Sequence, residues 1–91
     1  FEWNENKNQT NQQKHGISFK EVQTIFMDPH AVLFDDPDHS RDEERFLIIG
    51  MSLEKGICIV SHCYRGEEDI IRIIFARKAT KSEQEVYKEQ F

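Results

Sequence analysis

The spacing of apolar and polar positions changes several times along the chain and divides it into elements. Residues 1–3, FEW, alternate in polarity, which predicts a short edge strand with Phe1 and Trp3 turned inward. Residues 4–14 contain no apolar side chain, a pattern typical of either a loop or a solvated helix. Gly16 favours the helix, because glycine often follows the last residue of one.

Two capping boxes predict where further helices begin. In each, a serine or threonine is followed three residues later by a glutamate. The first box, SFKE at 18–21, leads into apolar residues at helical spacing, and Pro29 marks the expected end. The second, TKSE at 80–83, predicts a C-terminal helix through about Tyr87.

Four apolar stretches between these helices predict strands. They span residues 30–34, 45–53, 56–65 and 69–77. Short turns at 54–56 and 66–68 separate the last three, so consecutive strands should pair antiparallel. The predicted fold is a small α+β domain over residues 1–91. It has an antiparallel sheet of about four to five strands, two N-terminal helices and one C-terminal helix, in the order β-α-α-β-β-β-β-α.

Composition limits the classes of protein to which the chain can belong. Hydrophobic residues make up 37% and charged residues 32% of its 91 residues, values typical of a single globular domain. We find no apolar run near the ~18 residues that span a membrane and no signal-peptide pattern. Cys58 and Cys63 lie five apart in one predicted strand and should face opposite sides, which disfavours a disulfide and favours the cytoplasm.

The net charge of −5 argues against general nucleic-acid affinity, but the charge is distributed unevenly. Residues 35–44 are rich in acids, whereas residues 72–81 contain four cations and no acid. The four are Arg72, Arg77, Lys78 and Lys81. A basic ridge can therefore exist on an acidic protein.

Arg72 and Arg77 pose a specific problem, because they lie in a predicted strand that is otherwise apolar. Burying a long cation without a partner costs several kcal/mol. Either the two arginines pair with acids such as Glu43 and Glu44, or they bind a phosphate. They are five residues apart and face opposite sides on a regular strand, so one shared site requires a bulge or a strand end.

Five segments, in order and over essentially the whole chain, resemble the BrnT toxin family, which is similar to RelE in fold. They are KHGISF (14–19), FMDP (26–29), EER (43–45), RIIFARKAT (72–80) and an acidic C-terminal helix with Tyr87. The resemblance implies a ribonuclease toxin of a type II toxin–antitoxin pair that acts on RNA. It also implies a BrnA-type antitoxin partner, through which operator DNA is bound.

The chain departs from that family at Phe75, where the family typically has serine. If the hydroxyl binds phosphate or orients an arginine, the change removes activity; if it only packs, the change is harmless. Together with the negative net charge, Phe75 motivates an alternative function. In that alternative the chain is a catalytically inactive module that only binds its antitoxin.

The implied reaction is metal-independent attack by the ribose 2′-OH, which leaves a 2′,3′-cyclic phosphate and a 5′-OH and needs no cofactor. Proton transfer contributes ~10²–10⁴-fold to such a reaction, and arginine suits the charge on phosphate. The predicted catalytic residues are His15, Arg45, His62, Arg72 and Arg77. The predicted RNA-binding residues are Lys14, Lys78 and Lys81.

Several of these residues also have a structural interpretation. His15 fits the C-terminal end of a helix through the helix dipole, and Arg45 with Glu44 fits an exposed ion pair worth ~0–1 kcal/mol. His62 and Cys58 share a face, but Cys63 lies on the other, which disfavours zinc. The acidic turn at 35–40 lacks the glycine and glutamate of a calcium-binding loop, so no metal site is predicted.

Overall fold

The computed structural model describes residues 1–41, 43–66 and 70–91. Its helices are α1 (Glu5–His15), α2 (Phe19–Val22) and α3 (Lys81–Lys88), and its strands are β1 (Val32–Asp35), β2 (Phe46–Ser52), β3 (Gly56–Arg65) and β4 (Ile70–Lys78). Two 3₁₀ turns occupy Gln23–Met27 and Pro37–His39. The predicted α+β order is confirmed, with the first strand present as a single parallel bridge between Glu2 and Arg72.

The four strands form one antiparallel sheet in the order β1-β2-β3-β4, so each pairs with its neighbour in sequence. The short turn between β2 and β3 explains their pairing, since a tight turn returns the chain antiparallel, whereas β1 and β2 are joined by the longer segment 36–45. Gly56, with a φ of 74°, takes the left-handed conformation that the turn between β2 and β3 requires. The predicted turn at 66–68 and the predicted strand start at Asp69 lie partly outside the described residues.

The strand β4 contains a bulge. Ser61 of β3 pairs with Phe75, but the next residue, His62, pairs with Ile73, so Ile74 has no partner across the strand. A bulge adds one residue to one strand and shifts its side-chain alternation by one position.

The bulge brings Arg72 and Arg77 to the same side of the sheet. Arg72 lies opposite Cys63 and Arg77 opposite Ile59, and these β3 residues are an even number of positions apart. The side chains of both arginines therefore project from one surface, which we call the arginine face. The opposite surface, under α1 and α2, is the helix-covered face.

The helix-covered face carries the main core. The buried members of this core are Ile17, Phe19, Val22, Ile25, Ile48, Cys58, Val60, Ile73 and Ala76. Packing is close at Gly50 of β2, where an added Cβ would lie 2.7 Å from a methyl group of Ile25. The residues after the first capping box therefore form one α-helical turn and then a 3₁₀ turn that fits closely over β2.

The helix α1 attaches to the sheet through amide hydrogen bonds rather than an apolar stripe. The Oδ1 of Asn11 accepts from Ala76 N on β4 at 3.0 Å, and its Nδ2 donates to Ile17 O at 2.9 Å. The Oδ1 of Asn8 accepts from Phe19 N at 2.9 Å. Both asparagines are buried, so residues 5–15 form a docked helix despite having no apolar side chain.

The helix α3 covers only one end of the arginine face. Tyr87 is buried against Ile49 and Ile59, and its hydroxyl donates a 2.6 Å hydrogen bond to Asp28 Oδ2. None of the described helices has the length and apolar character needed to cross a membrane.

Candidate active site

Three arginines gather at the end of the arginine face that lies away from α3. Arg72 lies opposite Cys63 on β3. Arg45 directly precedes Phe46, and the β2–β3 register places it on the other flank of Cys63. Arg65 ends β3, and its guanidinium approaches the same glutamate as that of Arg72. We refer to Arg45, Arg65 and Arg72 as the arginine cluster.

Two glutamates hold the arginine cluster loosely. Glu2 Oε1 lies 3.4 Å from Arg72 Nη1 and 3.5 Å from Arg65 Nε. Glu43 Oε1 lies 3.6 Å from Arg45 Nε. Partly exposed ion pairs at such distances contribute only about 0–1 kcal/mol each. The guanidinium groups can therefore exchange these partners for an anionic ligand at little cost in stability.

The Nε atom of Arg45 has no hydrogen-bond acceptor among the described residues, although it is buried. A buried donor without an acceptor costs roughly 1–3 kcal/mol. A bound oxyanion would remove that penalty, since a phosphate offers several acceptor oxygens. Glu43 Oε1, at 3.6 Å, lies just beyond hydrogen-bond distance, so Arg45 Nε remains a donor that a ligand could use.

Cys63 forms the floor of the cluster. Burial raises the pKa of its thiol, and the nearby carboxylate of Glu43 raises that pKa further. The thiol therefore stays protonated and uncharged under the arginines at neutral pH.

The acidic turn after β1 contributes a histidine that the sequence analysis did not identify. His39 Nδ1 lies 3.0 and 3.1 Å from the two carboxylate oxygens of Asp36, which is buried. The ring itself is largely exposed and lines a hollow of about 450 Å³ together with Arg41, Glu43 and Arg45. An aspartate three residues before a histidine on a short helical turn is the signal that would have revealed this pair.

Arg77 is bound differently from the arginine cluster. Its Nη1 and Nη2 donate to the two carboxylate oxygens of Glu83 at 2.8 and 2.9 Å. Mainly because of this pairing, the pKa of Glu83 falls to about 2. Their β3 partners, Cys63 and Ile59, are four residues apart, so Arg77 lies roughly 13 Å along the sheet from Arg72. The structure therefore places it at the base of α3, apart from the cluster.

His62 does not lie near the arginine face, contrary to our prediction. It is fully buried on the helix-covered face, with the rings of Phe26, Phe46 and Tyr64 around it. Its Nδ1 lies 3.3 Å from Val60 O, and its Nε2 has no partner among the described residues. Burial lowers the pKa of the imidazole, so the ring is neutral at pH 7. The strand parity that the sequence indicated for His62 and Cys63 is confirmed.

The remaining predicted residues occupy two other places. Lys14 and His15 end α1 and line a groove of about 370 Å³ between α1 and β4, which we call the α1 groove. Lys78 and Lys81 are exposed at the end of β4 and the start of α3. Only Arg45 and Arg72 of the predicted catalytic residues therefore come together.

Comparisons with known proteins concern the family and the fold of the chain as a whole. A family model described as "Ribonuclease toxin, BrnT, of type II toxin-antitoxin system" matches residues 3–83. The crystal structure of the Brucella abortus ribonuclease toxin BrnT, at 1.1 Å resolution, superposes with a TM-score of 0.70 and 28% sequence identity. The match covers 89% of this chain and 96% of that one. A search of curated proteins finds no match.

Proposed function

The chain belongs to the BrnT family, the ribonuclease toxins of type II toxin–antitoxin systems, and from this premise we propose that it cleaves RNA at the arginine cluster without a metal ion. The ribose 2′-oxygen would attack the adjacent phosphorus while the bond from phosphorus to the 5′-oxygen breaks. A base removes the 2′-OH proton, and an acid supplies a proton to the departing 5′-oxygen. The products are a 2′,3′-cyclic phosphate and a 5′-OH.

The observation that carries the proposal is the pair of arginines on either flank of Cys63. Arg45 and Arg72 are about two strand spacings apart, or roughly 10 Å, so a phosphate between them would meet both guanidinium groups. Negative charge builds up on the phosphate in the transition state, and fixed donors at that position lower the barrier. The Nε of Arg45, which makes no hydrogen bond to a described residue, is one such donor.

We assign the proton transfers to the hollow beside Arg45. His39 has an exposed ring, and the buried carboxylate of Asp36 fixes its orientation through Nδ1, which leaves Nε2 for the substrate. Glu43 lines the same hollow and is the nearest carboxylate to act as its counterpart. His15 remains the second candidate for the proton transfer, from its place in the α1 groove.

We further propose that residues 1–91 act as a single toxin domain in the cytoplasm, where both buried thiols would stay reduced. Lys14, Lys78 and Lys81 would contact the RNA backbone beyond the cleaved bond. The family implies an antitoxin partner, and we propose a BrnA-type protein that covers the arginine face and alone contacts operator DNA.

The alternative, an inactive module that binds only its antitoxin, follows from Phe75 in place of the family's serine. Phe75 lies opposite Ser61 on the arginine face, three residues from Arg72. If the missing hydroxyl were essential, Phe75→Ser would create activity that the unchanged chain lacks.

The test is to incubate antitoxin-free protein with labelled RNA in excess chelator, with and without ribosomes. We expect cleavage that leaves cyclic-phosphate ends and is lost in Arg45→Ala/Arg72→Ala. His39→Gln and His15→Gln are then tested separately. The histidine that transfers the proton is the one whose replacement lowers the cleavage rate. Lys20→Gln, which removes a cation from α2, serves as the matched control. Intact RNA with a folded, antitoxin-binding protein would overturn the proposal in favour of the inactive module.

A further inference from the structure

Phe75 directly follows the bulge in β4, which brings Arg72 to the face that Phe75 and Arg77 share. Its β3 partner, Ser61, lies between the partners of Arg72 and Arg77, so all three β4 side chains share the arginine face. Phe75 is only partly buried and also lines the α1 groove. An aromatic ring therefore stands where the arginine face meets a groove edged by cations.

The α1 groove has the chemistry of a nucleotide-binding surface. Lys7, Lys14 and His15 supply donors from α1, and Asn6 and Thr10 add polar groups between them. Ile74 and Phe75 form the apolar side on β4. The volume of about 370 Å³ lies in the range of small-ligand pockets, ~300–1,000 Å³.

We propose that Phe75 is a stacking platform for one base of single-stranded RNA, with Lys7 and Lys14 on the flanking phosphates. This inference rests on the proposed function, and it adds a substrate-binding site outside the arginine cluster. Every base has a π face, so stacking on phenylalanine binds single strands with little sequence preference. The cations of α1 compensate locally for the net charge of −5, which would otherwise repel RNA.

In this role Phe75 binds the substrate, so its presence in place of serine does not mean that activity is lost. Phe19 is in the core at 0% exposure. Phe75 instead borders open space between the cations of α1 and those of β4. Replacement of a small hydroxyl by a ring at this point would exchange one hydrogen bond for a stacking surface.

The experiment measures binding of a short 2′-O-methyl RNA, which cannot be cleaved, by fluorescence anisotropy across a range of salt concentrations. We expect Phe75→Leu to raise the Kd by roughly fivefold to 150-fold, the usual effect of removing one aromatic–base stack. Phe75→Trp should retain or improve binding. Phe91→Leu is the matched control, because Phe91 is an exposed ring that packs against Tyr87. It should leave the Kd for RNA unchanged.

The salt dependence separates stacking from charge. Phe75→Leu should leave the slope of log K against log salt unchanged, because it removes no cation. Lys7→Gln/Lys14→Gln should reduce that slope by about 0.7 for each phosphate that the protein no longer neutralises.

Three outcomes would overturn the inference, and they are distinguishable. If the unchanged protein does not bind the RNA, both the inference and the proposed function fail. If it binds and Phe75→Leu binds equally well, only the stacking platform fails. If Phe75→Leu keeps its RNA affinity but binds the antitoxin more weakly, the groove is a protein interface.

Discussion

The helix-covered face and the arginine face are made by the same strands but from different side chains. On the helix-covered face, Val60 and Ile73 are almost fully buried under the helices. On the arginine face, their near neighbours Cys63 and Arg72 belong to a surface of partly exposed guanidinium groups held by weak ion pairs. Because side chains alternate along a strand, one set of residues can stabilise the fold while the next set binds a ligand.

The two ends of the arginine face also differ, in how completely the donors of their arginines are satisfied. At the α3 end, Arg77 is fixed by two short hydrogen bonds to Glu83, and Tyr87 is buried. At the other end, the arginine cluster has long ion-pair distances, and the buried Nε of Arg45 makes no hydrogen bond to a described residue. Arginines on one strand can therefore be structural or available for a ligand, depending on how completely their donors are satisfied.

The largest difference in stability is expected between alanine substitutions at two neighbouring residues of β2, one on each face of the sheet. Ile48→Ala on the helix-covered face should lower the free energy of unfolding by about 2–5 kcal/mol, because it leaves a cavity in the core. Leu47→Ala on the arginine face should cost only about 1 kcal/mol, since that side chain is partly exposed. Urea denaturation of both variants measures the difference. Equal losses would mean that both faces are core.

The next largest effects are expected from alanine substitutions at the two arginines of β4. Arg72→Ala should slow RNA cleavage by ~10²–10³-fold and change the free energy of unfolding by at most about 1 kcal/mol. Arg77→Ala should instead lower the free energy of unfolding by roughly 1–3 kcal/mol, because Glu83 loses its partner. Single-turnover cleavage and Tm are measured on the same samples. If the Arg77→Ala variant were stable but inactive, Arg77 would have a catalytic role rather than a structural one.

The α3 end should also be sensitive to acid. The folded-state pKa of Glu83 is about 2, below its ordinary value of 4.5, so its contribution is complete above pH 4.5 and is lost as the pH falls towards 2. We expect roughly 1–3 kcal/mol to be lost over this interval. Glu83→Gln should be less stable at pH 7 and should show a flatter profile in acid. Identical profiles of the two proteins would exclude this pair as the cause.

The smallest effect concerns His62 on the helix-covered face. Its folded-state pKa is below the ordinary value of 6.5, so stability is unaffected above pH 6.5 and decreases below it as the unfolded chain takes up a proton. His62→Phe should remove this part of the pH dependence and change stability at pH 7.5 by less than about 1.5 kcal/mol. Thermal unfolding between pH 7.5 and 5 compares the two. A large loss at pH 7.5 would show that the hydrogen bond from Nδ1 to Val60 O, or a partner at Nε2, stabilises the fold.

Local sequence determined most of the elements. Both capping boxes form as predicted, with Glu21 and Glu83 each accepting from the backbone N–H of its cap residue. Gly16 ends α1 in the left-handed conformation, and β3 spans the predicted residues 56–65. These features depend on residues within a few positions of one another, which is why a pattern along the chain is enough to predict them. The first strand of the sheet begins two residues later than predicted, because Asp28 and Pro29 extend the preceding turn.

Tertiary structure decided which of the candidate residues meet. The bulge at Ile74 aligns Arg72, Phe75 and Arg77 on one face, and its position depends on how β4 pairs with β3. The burial of Asn8 and Asn11 depends on backbone groups that lie up to 65 residues away in the chain. The same holds for the aromatic rings around His62. The sequence alone determined the elements and supplied the residues of the site, whereas long-range pairing and packing selected those that lie together, because strand register and burial depend on distant parts of the chain.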